Sequence, residues 1–152
     1  MSTAPGPLAP AARTPSRRPR LPLVLLAVLA DAACVLALAT GGLAAHTPGE
    51  GVVRLLYVAW PFAAGAAAGW AVTRAWRRPW RVWPTGVVVW GCAWALGILL
   101  RVLTGQGVAP AFQLVSFGFL AATMLGWRGV VALVDVLSPA ERRRRARDLG
   151  GR

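Results

Sequence analysis

An acid inside an apolar run is the first residue of this sequence that could do chemistry. Asp31 lies ten residues into the stretch Leu21–Ala45, which carries no other charge. If that stretch is a helix, the rise of ~1.5 Å per residue puts Asp31 ~15 Å from its start, close to the middle of a hydrocarbon layer ~30 Å thick. A carboxylate there costs about 2.5–3.5 kcal/mol to insert, so it must be paired, hydrated or protonated. Two roles follow. It is a proton, ion or small-ligand site, or it is a polar anchor that fixes helix packing. The cations placed to serve it are Arg54 and Arg101, which begin the second and end the third apolar segment on one side. By helix rise Arg101 stands roughly 13 Å above Asp31, about twice the reach of an arginine side chain. A direct pair therefore needs helix tilt or an intervening ligand, and the alternative is that both arginines snorkel to the interface. His46, close to Glu50 at the same mouth, is either a proton relay or an interfacial polar group, because it titrates near neutral pH. Trp60-Pro61-Phe62 adds a proline expected to kink its helix and free a carbonyl to line a cavity, or to serve packing alone. Asp31, Arg101, Arg54, His46 and Trp60 make up the candidate polar site.

Other chemistry is poorly provided for. There is one histidine and no lysine, so most acid–base catalysis lacks its usual groups. No phosphate-binding loop, dinucleotide glycine motif or paired-histidine metal motif occurs. The two cysteines, Cys34 and Cys92, each lie in an apolar run and do not supply the four ligands of a structural zinc site. The expectation is a protein that is not an enzyme and carries no cofactor or metal.

The elements that must hold these residues are set by composition. The chain of 152 residues is 57% hydrophobic and 14% charged, with a mean hydropathy of +0.56. A soluble domain is closer to 25% charged. Four apolar runs are long enough to cross a bilayer as helices, since backbone groups in lipid must bond internally. They lie at about 21–45, 53–73, 82–103 and 110–136, within a membrane domain of 21–136. Residues 1–20 form a Pro-, Ala- and Arg-rich tail expected to be disordered, and 137–152 a basic tail that opens Ser138-Pro139-Ala140-Glu141 in the manner of a short surface helix. The fold class is therefore all-α, an integral membrane four-helix bundle. A cleaved signal peptide is disfavoured, because the first run is too long and contains an acid.

The net charge of +12 comes entirely from arginine on the basic side. Fifteen of the 17 arginines fall in the two tails, the 74–81 loop and the inner end of the fourth run. That bias predicts a plasma-membrane protein with both termini cytoplasmic. Trp76, Trp80, Trp83 and Trp127 would form an aromatic belt at the same edge. Such an arrangement disfavours nucleic acid as the target and points to lipid. Arg142, Arg143, Arg144 and Arg145 are placed to meet anionic headgroups, at about 1 kcal/mol per basic residue.

Small residues mark the faces expected to pack. Gly65 and Gly69 form a GxxxG pair, for contacts within the chain or, less favoured, with a second copy in a homo-oligomer. Gly86, Trp90, Ala93, Gly97 and Arg101 share a stripe on the third helix, Phe112, Ser116, Phe119 and Thr123 on the fourth, and Ala27, Asp31, Cys34 and Leu38 on the first. The pieces Asp31, Gly42, His46, Trp60-Pro61-Phe62, Gly65, Gly69, Trp70, Gly97, Leu100-Arg101, Gly105, Gly107, Phe112 and Gly126-Trp127-Arg128 together resemble the small membrane proteins grouped as DUF3054. The resemblance covers about residues 25–130. It implies the four-helix membrane fold and marks these residues, but names no substrate. Leu43 stands where that pattern has an arginine. Two functions follow as expectations: binding or transport of a small ligand, ion or proton around Asp31, or a structural or partner-binding membrane subunit.

Overall fold

A computed structural model describes residues 21–46 and 51–138, together with Arg143 and Arg147. The N-terminal tail, the His46 side chain and most of the C-terminal tail lie outside the described residues.

Every regular element among them is helical. Helix α1 is Leu21–His46, α2 is Val52–Thr73 and α3 is Val87–Leu103. The fourth span is built of α4, Pro110–Leu120, and α5, Gly126–Leu137, joined without a break by a wide π-type turn at Ala121–Leu125. A similar irregular turn at Val82–Gly86 opens the third span. The four candidate membrane spans have 23, 22, 22 and 28 residues. At ~1.5 Å per residue the shortest reaches ~33 Å, enough to cross a bilayer core.

The α2–α3 hairpin is the tightest part of the bundle, and glycine is the reason. A Cβ on Gly65 would stand 2.5 Å from the Cys92 carbonyl oxygen, and one on Gly69 2.7 Å from the Val89 Cα. The two backbones touch, so the GxxxG pair serves packing within the chain. Gly97 does the same for a side chain: its missing Cβ leaves room for the Phe62 ring, which is 1% exposed and lies 6.0 Å from the Phe112 ring. Helix α2 runs through Pro61, itself buried, without ending there.

The remaining helices close around this hairpin. Trp90 and Trp94 each donate an indole N–H to a carbonyl of α4, Phe117 and Gln113, at 3.2 Å. In lipid an indole N–H needs such a partner. Helix α1 turns Ala27, Asp31, Val35, Leu38 and Ala39 inward. On the fourth span the buried stripe is Ser116, Leu120, Met124 and Arg128. That corrects the expected stripe: Ser116 is fully buried, while Phe112, Phe119 and Thr123 are only half-buried. Each step of four residues overshoots an α-helical turn by about 0.4 residue. The wide turn at 121–125 takes up that surplus and keeps Met124 and Arg128 in line with Ser116.

Candidate functional site

Asp31 is 3% exposed and meets four donors. Arg128 grips it with both terminal nitrogens, Nη1 to Oδ1 at 2.7 Å and Nη2 to Oδ2 at 2.6 Å. The Trp127 indole donates to Oδ1 at 3.0 Å and the Trp70 indole to Oδ2 at 2.8 Å. Each carboxylate oxygen thus accepts two hydrogen bonds, which uses about all the acceptor sites that a carboxylate has. The guanidinium is held as closely. Its Nε donates to the Pro79 carbonyl at 3.1 Å and Nη1 also to the Met124 carbonyl at 2.9 Å, while the Trp127 ring lies 4.3 Å from its central carbon. Arg128 is fully buried.

Each element contributes by its local chemistry. Arg74 ends α2 in the left-handed region, at φ 50° and ψ 49°, and turns the chain into the 74–81 loop. The loop folds back over the bundle and buries Ala75 and Pro79, which brings the Pro79 carbonyl to Arg128. Gly86 leaves the space that the Arg128 stem fills, since a Cβ there would be 2.8 Å from Arg128 Cδ. The four arginines of the loop, Arg74, Arg77, Arg78 and Arg81, remain exposed around this buried pair.

The sequence reading named the acid and missed its partner. Arg101 does not reach Asp31. Gly86 is level with Arg128 and Arg101 is fifteen residues further along the third span, so ~22 Å separates them by helix rise. Nor does Arg54, whose guanidinium lies 5.5 Å from the Tyr57 ring near the start of α2. Trp60 is 39% exposed on α2 and forms no part of the Asp31 cluster. The His46 proposal falls on a side chain outside the described residues. Trp127, expected at the membrane edge, turns inward to Asp31 instead. The pair also lies toward the α2–α3 end of the bundle rather than its middle, because Trp70 is three residues from the end of α2 and Pro79 is in the loop beyond.

The second polar cluster is at the opposite end. Arg101, buried to 9% exposure, donates to the Gln106 side-chain oxygen at 2.9 Å and more weakly to the Gly107 carbonyl at 3.4 Å, and stacks 4.7 Å from the Phe112 ring. Gly105 and Gly107 take φ values of +68° and +71°, open to glycine, and the Gln106 N–H bonds the Arg101 carbonyl. The 104–109 loop thereby folds over Arg101.

One groove borders the Asp31 cluster. It measures about 400 Å³ and runs between α1 and α2, with walls from Val28, Ala32, Val35, Ala63, Ala67 and Ala71, closed at its edges by Trp70 and Trp76. Asp31 is the one ionisable group on its wall. Among the described residues no cluster of three or more His, Cys, Asp or Glu could hold a metal, and Cys34 and Cys92 are free thiols.

The model of one protein family matches residues 28–131 of the chain, and its description is a protein of unknown function, DUF3054. No curated protein and no solved structure matches. The match covers well over half of the sequence, and the chain belongs to the DUF3054 family.

Proposed function

We propose that this DUF3054 membrane protein is a partner-binding subunit rather than an enzyme or a carrier. In it the Asp31–Arg128 pair pins the fold, and the α1–α2 groove receives a transmembrane helix of another membrane protein. The observation that carries this reading is the saturation of Asp31 by four donors. A carboxylate that shuttles protons or takes a ligand must exchange partners, and every exchange here would strand a buried arginine. The groove supplies the binding surface. Its small residues Ala32, Ala63, Ala67 and Ala71 let a partner backbone come close, where a lipid chain would gain nothing from alanine over leucine. A small-ligand reading draws on Asp31 and Trp70 lining the same groove, but these two are already bonded to each other.

The reading places the protein in the plasma membrane with both termini in the cytoplasm. Support comes from the four exposed arginines of the 74–81 loop and the exposed Arg143 and Arg147 beyond α5. Arg142–Arg145 would then meet anionic lipid on that side.

A photo-crosslinking residue placed singly at Ala63 and Ala67, and at Leu114 as a control 76% exposed on α4, tests the proposal in native membranes. The expected result is a discrete protein adduct from the two groove positions and none from Leu114. Lipid adducts alone from all three positions would overturn it, and an adduct of twice the chain mass would identify the partner as a second copy.

A further inference from the structure

Among the described residues Arg101 is a buried arginine that no carboxylate faces, and its hydrogen-bond partners are the neutral Gln106 side chain and the Gly107 carbonyl. Two donors in this cluster have nothing to bond. Arg101 Nε and Gln106 Nε2 are both buried and both unpartnered. Gln106 cannot relieve this by turning its amide, because its oxygen already accepts from Arg101 Nη1. Buried donors that lack acceptors are rare in folded proteins and call for a reason. The contrast with Arg128 sharpens the point, since every nitrogen of that still more deeply buried guanidinium is bonded.

We propose that the α3–α4 end is an oxyanion site, in which a phosphate-class anion accepts hydrogen bonds from Arg101 Nε and Gln106 Nε2 beneath the 104–109 loop. Two sources share this chemistry: inorganic phosphate in solution, and the headgroup of an anionic phospholipid in the leaflet at that end. Gly105 and Gly107 bracket Gln106 at positive φ, and the loop is anchored by the bonds of the Gly105 and Gln106 amides to the end of α3. The site uses neither Asp31 nor the α1–α2 groove, so it stands or falls apart from the partner-binding reading.

The test is thermal unfolding of the full chain in nanodiscs of neutral lipid, followed as sodium phosphate replaces sodium chloride at constant ionic strength. A second series replaces part of the neutral lipid with phosphatidylglycerol in chloride. The expected result is a saturable rise in Tm of several degrees in one series, which also identifies the source, because a ligand held only by the folded state stabilises it. The basic tails also attract anionic lipid, so both series are repeated with Gln106→Glu and Gln106→Leu. Gln106→Glu supplies a carboxylate beside Arg101. It should raise Tm without any added anion and abolish the response, while Gln106→Leu should weaken it. No shift in either series for the folded wild-type protein would overturn the proposal. So would a Gln106→Glu variant that is less stable than wild type yet responds as fully.

Discussion

Removing the charge of Asp31 while keeping its shape should cost this protein a large part of its stability. In Asp31→Asn the four donors that now converge on two carboxylate oxygens meet one amide oxygen with two acceptor sites and an NH2 group that is itself a donor. At least two donors are left unbonded. The guanidinium of Arg128, fully buried, also loses its counter-charge. Breaking one side of a buried ion pair costs about 3–5 kcal/mol, and the stranded donors place this case near the middle of that range or above it. At roughly 2–4 °C per kcal/mol for a chain of this size, a loss of ~4 kcal/mol lowers Tm by about 8–16 °C. The assay is thermal unfolding in nanodiscs, read by intrinsic tryptophan fluorescence. Two indoles touch the site, so the emission should report its opening. The companion variant Asp31→Leu/Arg128→Met removes both charges together. Replacing a whole buried pair with apolar groups is often near neutral, so the double variant should be more stable than Asp31→Asn, with the Trp70 and Trp127 donors and the Pro79 carbonyl left to satisfy. An Asp31→Asn protein as stable as wild type would refute the anchor role and return Asp31 to the candidates for proton or ligand chemistry. A double variant as unstable as the sum of its single changes would refute the pairing.

Three further outcomes follow from the same contacts. Trp70→Phe and Trp127→Phe each remove one hydrogen bond to a charged acceptor. Each should cost about 1.5–3 kcal/mol, measured by the same unfolding assay, whereas Trp83→Phe, 73% exposed, should cost almost nothing. Gly65→Ala and Gly69→Ala drive a Cβ into the backbone of α3 and should separate α2 from α3, with a Tm loss well beyond that of Gly91→Ala. Gly91 has nothing within 4 Å of its Cβ position, and alanine there should gain up to about 1 kcal/mol of helix propensity. Gly97→Ala collides with the ring of Phe62, so Gly97→Ala/Phe62→Leu should recover stability lost by Gly97→Ala alone.

The four spans were legible because lipid leaves the backbone few choices: long uncharged runs must be helices. The intramolecular use of Gly65 and Gly69 was legible too. The partner of Asp31 was not found, although part of the signal was present. Asp31 is ten residues after the start of α1 and Arg128 nine before the end of α5. Sequential spans run antiparallel, and so do the first and the fourth, which brings these two residues level. Arg128 also fits the arginine bias that sets topology, and that second role masks it, while Arg101 stands at the opposite end of the bundle. What the sequence could not supply was the folding of the 74–81 loop. A stretch with four arginines reads as a solvated turn, yet Ala75 and Pro79 are buried within it, and the Pro79 carbonyl completes the guanidinium shell.

The two buried arginines settle how charge is used in this fold. Arg128 contributes five contacts to the structure, to Asp31, Pro79, Met124 and the Trp127 ring, and so ties α1, the 74–81 loop and the fourth span at one point. That point lies at the end of the tight α2–α3 hairpin, where α1 has no glycine contact of its own to hold it: a Cβ on Gly41 or Gly42 would meet nothing within 4 Å. With small-residue packing joining α2 to α3 and indole hydrogen bonds joining α3 to α4, the ion pair is the strongest polar tie that α1 has. Loosening it should therefore free α1 first, and with it one wall of the groove. On the proposed function the anchor role of Asp31 and the binding role of the groove are for that reason coupled: a partner helix seated between α1 and α2 would need α1 held in place, and the carboxylate holds it.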